Sequence, residues 1–171
     1  MTKIQELLES KVSLIPAVVS FPIRGDEVLL IHRVKVSEGL GLNLISGVGG
    51  KVGGDIPKFA TESAEAALER EVFEEIEIKP TKFRHVGRVR FIWIAKPKWS
   101  MDVRIYIVDE WEGSPTETAV AKPVWHKIDN LPVEQMWEDN RYWVHKVLAG
   151  ERIDAVFLYG ENGKLIEHIF N

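Results

Sequence analysis

Short β-branched runs alternate with longer helix-period segments along this chain. Ile15–Ile23 and Glu27–His32 predict two strands, with Gly25 and Asp26 supplying the turn between them. Pro16 and Pro22 remove ladder donors, which predicts that the first strand is irregular or at an edge near its ends. Phe83–Ile94 and Met101–Val108 predict a strand pair joined by a Lys-Pro-Lys-Trp-Ser loop, and Val124–Lys127 a short strand. Ala155–Tyr159 and Leu165–Phe170 predict a closing hairpin around Gly-Glu-Asn-Gly. The clearest helical segment is Glu62–Glu77: Ser63 suits the N-cap, Glu65 the first turn, and Pro80 a stop. Its Leu68, Val72, Phe73 and Ile76 are the expected anchors to a sheet. Trp137–Leu148 predicts a second helix with Gly150 marking its end. Ile4–Val12 reads as a short amphipathic helix or a fraying arm, which leaves residues 1–12 peripheral.

The pattern contains no repeat, low-complexity tract or linker, so residues 1–171 read as one mixed α/β domain. At 45% hydrophobic and 28% charged, the chain can build a core without a staple. A net charge of −4 argues against a general nucleic-acid coat or a polybasic membrane binder. The absence of cysteine excludes disulfides, thiol catalysis and cysteine-ligated zinc. No apolar run is long enough to span a bilayer, and the start MTKIQELLESKV has no secretory core, so a cytoplasmic location is expected.

Two segments carry candidate chemistry. Residues 35–54 hold seven glycines among few charges, which lets backbone approach a ligand or take positive φ. In Arg70-Glu71-Val72-Phe73-Glu74-Glu75, helical spacing puts Glu71, Glu74 and Glu75 on one side. Like charges so close repel, and a divalent cation reverses that sign; oxygen-rich sites suit Mg²⁺ or Mn²⁺ when phosphates complete the shell. The plainer alternative is a solvated acidic face. Gly47-Val48-Gly49-Gly50-Lys51 adds backbone donors that can face anions, but it is not a P-loop, because no G-x-x-x-x-G-K-[ST] opens a helix here.

Gly50, Glu62 and Arg70–Glu75 resemble the Nudix box, G-x5-E-x7-R-E-U-x-E-E-x-G-U. Seven residues separate Glu62 from Arg70, and Ile78 fills the last apolar position. Two departures stand out: eleven residues, not five, separate Gly50 from Glu62, and Glu77 stands where the pattern has glycine. The first implies a longer surface loop over 53–61, the second an altered helix end. Gly47–Val52, Met101-Asp102-Val103, Pro123-Val124-Trp125, Met136-Trp137, Asp139 and Tyr142-Trp143 further resemble the oxidised-purine nucleoside triphosphatases of this superfamily.

That resemblance implies an α/β/α sandwich with a mixed sheet and Mg²⁺-dependent hydrolysis of a nucleoside triphosphate, such as 8-oxo-dGTP, to monophosphate and pyrophosphate. It implies Glu71, Glu74 and Glu75 as metal ligands with a carbonyl near Gly50, Mn²⁺ being a possible substitute. Glu74 or Glu75 would take the proton of the attacking water, and Arg70 would hold the box by pairing with Glu62 or a ligand. The branch's fourth acid falls at Val120 here, with Glu117 three residues earlier as a candidate replacement or an ordinary surface charge. Base contacts map to Ser46, Leu40, Phe91, Met101, Trp137, Asp139 and Asn140. Ser46, Leu40 and Asn140 depart from the branch and point to altered or relaxed base choice. Trp137 and Met101 also fit ordinary core roles. The implied partner is a small-molecule nucleotide, with no extended nucleic acid and no membrane, for a monomer or homodimer.

Competing readings remain a broad (d)NTP pyrophosphatase, an enzyme acting on RNA 5′ pyrophosphate, and a non-catalytic nucleotide sensor. The histidines lack H-E-x-x-H spacing, and no serine lies in G-x-S-x-G. Arg24, Arg33, Arg88, Arg90 and Arg104 include candidate phosphate contacts, or are strand-surface charges. Lys96 and Lys98 beside Trp99 form a small basic-aromatic loop of a kind that touches RNA ends.

Overall fold

The computed structural model describes residues 1–34 and 43–171, so Leu40 lies outside the described residues. The elements run α1 (Lys3–Glu9), β1 (Ile15–Arg24), β2 (Glu27–Arg33), β3 (Ile45–Ser46), β4 (Val48–Lys51), α2 (Ala64–Ile76), β5 (Lys79–Trp93), β6 (Met101–Glu112), β7 (Ala121–Lys127), α3 (Asn140–Leu148), β8 (Ile153–Tyr159) and β9 (Leu165–Phe170). Strands connect in the order β3-β2-β1-β6-β5-β8-β9, with β4 also on β1 and β7 on β2. The sheet is mixed: β1–β6 and β5–β8 are parallel, the other pairs antiparallel.

Strand alternation sorts the side chains into two layers. Ala17, Phe21, Val103, Ile105, Ile107, Ala155, Phe157 and Tyr159 turn to the face covered by α3, against Trp143, Val144 and Val147. On the other face Val18, Leu29, Ile31 and Tyr106 pack against Ala67, Leu68, Val72 and Ile76 of α2. Farther along that face, Ile92, Val156 and Leu158 meet Ile4 of α1. The result is the expected α/β/α sandwich.

The N-terminal segment resolves as a docked helix, because Ile4 is fully buried and a Thr2–Gln5 capping box closes its first turn. β1 is internal to the sheet over Ala17–Ser20. Its prolines are tolerated because Pro16 and Pro22 flank the Ala17–Ser20 segment that is bridged by both β4 and β6. Phe73 is a correction: it is 57% exposed and anchors nothing, because the buried stripe is Leu68, Val72 and Ile76, one helical step (~100°) away.

Candidate active site

α2 begins as its sequence dictates, with the Ser63 hydroxyl accepting from the Ala66 N–H at 3.1 Å. It ends at Glu77, which adopts the left-handed conformation (φ 61°) and donates its N–H to Phe73 O. The expected altered helix end is absent. Glu77 takes the backbone shape that glycine would take, and the strain stays in that residue.

Arg70 organises one side of the helix. Its guanidinium forks onto Glu62, with Nε–Oε2 at 3.0 Å and Nη2–Oε1 at 2.6 Å. Nη1 reaches Glu71 at 2.9 Å and Glu74 at 3.2 Å, and Nη2 also donates to Lys51 O at 3.1 Å. Arg70 pairing with both Glu62 and the metal-ligand candidates thus merges two expected alternatives. The longer 53–61 loop leaves this cluster in place and adds to it. Gly53 N–H donates to Glu62 at 2.8 Å, and the Phe59 ring lies 4.4 Å from the Arg70 guanidinium. These hydrogen bonds hold the Glu62 carboxyl below its ordinary range.

The three ligand candidates differ in burial. Burial pushes the Glu71 carboxyl up, with Arg70 opposing. Glu75 is almost wholly buried, and burial raises it to about 7 against the pull of Arg33. Arg33 Nη1 meets Glu75 Oε1 at 3.0 Å, while Glu75 Oε2 is buried with no hydrogen-bond partner. Glu74 is half exposed.

The glycines of β4 make this crowding possible. A Cβ on Gly49 would come within 2.0 Å of Val18 O, and one on Gly50 within 2.4 Å of the Glu71 carboxyl carbon. Glu71 therefore lies directly against the Gly50 backbone. That cradle, the orphaned Glu75 oxygen and an all-oxygen donor set fit a hard divalent cation. Among the described residues no three acidic or imidazole groups converge into a finished cage; Arg70 bridges Glu71 and Glu74, and Arg33 engages Glu75. Glu117 is exposed. Its loop is tied to the end of α2 through Thr116 N–Ile76 O (2.9 Å) and Thr118 Oγ1–Glu75 O (2.8 Å).

The base-contact candidates divide. Phe91 and Met101 are direct partners across β5 and β6, and they and Trp137 each pack against the core on the α3 face. Trp137 is half-buried and edge-on to Trp93 at 5.5 Å; Trp93 lies flat on Tyr159 at 4.1 Å. Asp139 and Asn140 are buried beside them. The Asp139 carboxylate accepts from Tyr159 OH (2.5 Å), Trp143 Nε1 (2.7 Å) and Asn140 Nδ2 (3.1 Å), and burial raises it to about 6. Because Asp139 spends its side chain on these partners, it gives α3 no side-chain cap, and the helix begins at Asn140 instead of Trp137. Ser46 turns elsewhere: its hydroxyl accepts from Arg33 Nε at 3.0 Å and donates to Gly47 O at 2.9 Å. A surface recess of about 620 Å³ between Arg24 and Trp111 contains none of these residues.

Sequence reasoning placed Arg33 only among possible phosphate contacts and did not find Phe59, Trp93 or Tyr159. A strand-terminal arginine beside a glycine-rich loop and an aromatic within the box's extra residues were the available signals.

The geometry agrees with comparisons to known proteins. A model of the NUDIX domain family matches residues 14–147, and the chain belongs to that family. It is a Nudix hydrolase. It is 32% identical over 130 residues to the oxidized purine nucleoside triphosphate hydrolase of Danio rerio, covering 76% of this chain and 79% of that protein. The Mus musculus protein of the same name is 28% identical over the same shares. In fold it is similar to a MutT protein from Bacillus halodurans, with a TM-score of 0.73, 21% identity, and coverage of 92% of this chain and 98% of that one. No helix among the described residues is long and apolar enough to cross a membrane.

Proposed function

We propose that this enzyme hydrolyses purine nucleoside triphosphates, oxidised forms such as 8-oxo-dGTP included, to the monophosphate and pyrophosphate, and so cleans the nucleotide pool. The observation that carries this reading is that Phe91, Met101 and Trp137 line the same core, with Asp139 and Asn140 buried next in sequence to Trp137. Similarity to the zebrafish and mouse hydrolases supports the same substrate class. An aromatic face holds a purine, while paired polar groups read its edge.

Glu71, Glu74, Glu75 and the Gly50 carbonyl would hold Mg²⁺, which supplies charge neutralisation of the phosphates and a more acidic water. Arg70 keeps Glu71 and Glu74 oriented while Glu62 holds Arg70. The water oxygen attacks phosphorus, the bond to the leaving pyrophosphate breaks, and Glu74 or Glu75 takes the proton. Trp137 and its neighbours fix the nucleoside so that the scissile phosphate meets the carboxylates.

A product-resolved panel tests the proposal: oxidised and normal purine triphosphates, pyrimidine triphosphates, nucleotide sugars, diadenosine polyphosphates and triphosphorylated short RNA, compared by kcat/KM. Oxidised purines should rank first. Highest efficiency on nucleotide sugars or RNA would overturn the substrate class, and binding without turnover on any member would make the chain a sensor.

A further inference from the structure

Two arginines in this site meet carboxylates in different ways. Arg70 grips Glu62 with both prongs, at 3.0 and 2.6 Å, the arrangement a planar guanidinium favours. Arg33 meets Glu75 with one prong only, Nη1 to Oε1 at 3.0 Å. Its Nε is taken by the Ser46 hydroxyl at 3.0 Å, and Nη2 leans to Gly49 O at 3.5 Å. The Ser46 hydroxyl is itself steered, since it donates to Gly47 O at 2.9 Å.

Both partners are held by the backbone around them. Arg33 is the last residue of β2, and its N–H and C=O pair with Leu44 O and Asn43 N at 3.1 and 2.9 Å. Ser46 lies on β3, in register with Ile31 of β2. Glu75, at 6% exposure, has little freedom to leave the guanidinium. The outcome is a buried carboxylate with Oε1 engaged and Oε2 without a partner.

We propose that Ser46 is a positioning residue for the metal site: by holding Arg33 Nε, with Gly49 O at Nη2, it fixes the guanidinium so that Nη1 alone reaches Glu75, and so leaves Oε2 open to the divalent cation. The inference rests on the reading of Glu71, Glu74 and Glu75 as cation ligands. Without the serine hydroxyl, the freed guanidinium rotates onto Glu75 as Arg70 does onto Glu62, and the cation must displace it. Ser46 thereby acts on the metal through Arg33, independently of any contact with a base.

The test is Mn²⁺ binding to nucleotide-free protein, followed by electron paramagnetic resonance of the free ion. Ser46→Ala should weaken Mn²⁺ binding roughly three- to tenfold, near the lower end of what outer-shell partners of metal ligands contribute. Ser46→Thr, which keeps the hydroxyl, should bind as the wild type does. On an Arg33→Gln background, adding Ser46→Ala should change the Kd by less than about twofold, because the competing fork is already gone. Equal losses on both backgrounds, or an unchanged Kd in Ser46→Ala, would overturn the proposal. Failure of the wild type to bind Mn²⁺ both alone and with a nucleoside triphosphate would instead overturn the metal site itself, and Glu71→Gln separates the two by abolishing binding only if that site is real.

Discussion

The Tyr159 hydroxyl donates to Asp139 Oδ1 at 2.5 Å, inside a core where Asp139 is 2% exposed. This bond joins the last turn before α3 to the end of β8, and it bears directly on stability. Tyr159→Phe keeps the ring stacked on Trp93 but leaves Asp139 one donor short. Losing that donor to a buried carboxylate should cost about 1–3 kcal/mol, read as a lower urea midpoint with an unchanged m-value.

The same carboxyl sets a pH dependence. Burial raises Asp139 from 3.8 to about 6. Between those values the native protein retains a proton that the unfolded chain releases, so this group's contribution to stability falls as pH rises through that window. The full effect is on the order of 2–3 kcal/mol. Asp139→Asn removes it, so the stability difference between wild type and variant should shift in the variant's favour from pH 4 to pH 6.5, outside of which it is flat. A difference that stays constant across the window would show that Asp139 titrates normally.

Glu77 sits at φ 61° at the end of α2. A side chain there is strained, and a carboxylate at a helix C-terminus faces the negative end of the dipole. Glu77→Gly should therefore stabilise the protein by about 0.5–1 kcal/mol. Thermal unfolding measures this directly, and kcat/KM should stay at the wild-type value because Glu77 lies outside the carboxylate cluster.

What the sequence made legible follows from which residues speak locally. Leu68, Val72 and Ile76 announce the buried stripe of α2 through spacing alone, and Ser63 announces its start. Phe73 misleads because hydrophobicity says nothing about a residue set ~100° off that stripe. β3 is too short and β4 too short and glycine-rich to show a period, so the strand that brings Gly50 against Glu71 is invisible without its partner β1. Arg33 and Glu75 lie 42 residues apart, and only the pairing of β2 with β3 and the seating of α2 bring them together. Tyr159 is similar: its role depends on Asp139, 20 residues earlier in the chain.

The Arg70 hub makes a graded set of expectations for catalysis. Arg70→Lys keeps the charge and loses the fork onto Glu62, and should reduce kcat/KM by roughly 10–100-fold. Glu71→Gln and Glu74→Gln, which alter the candidate ligands themselves, should lose more, whereas the exposed Glu161→Gln should not. Gly50→Ala forces a methyl to within 2.6 Å of both Glu71 carboxylate oxygens. It should behave like Glu71→Gln in an Mg²⁺ titration of activity. Wild-type efficiency of either glutamine variant at limiting Mg²⁺ would remove that residue from the metal site.

Trp137 decides between base recognition and simple core packing. Its ring is half-buried, edge-on to Trp93 at 5.5 Å and to Tyr159 at 6.4 Å, so one part supports the aromatic cluster while another remains accessible. Truncation to alanine removes both roles at once, and a single substrate cannot separate them. The comparison is therefore between a purine triphosphate and a base-poor triphosphate that uses the same carboxylates. If the accessible part of the ring holds the purine, Trp137→Ala should lower kcat/KM for the purine by roughly 10-fold or more, the worth of one base stack at about 1–3 kcal/mol. The base-poor substrate should lose little. Trp137→Phe, which keeps an aromatic face, should recover part of the purine rate. Equal losses on both substrates, accompanied by a lower unfolding midpoint, would assign Trp137 to the core that it shares with Trp93 and Tyr159.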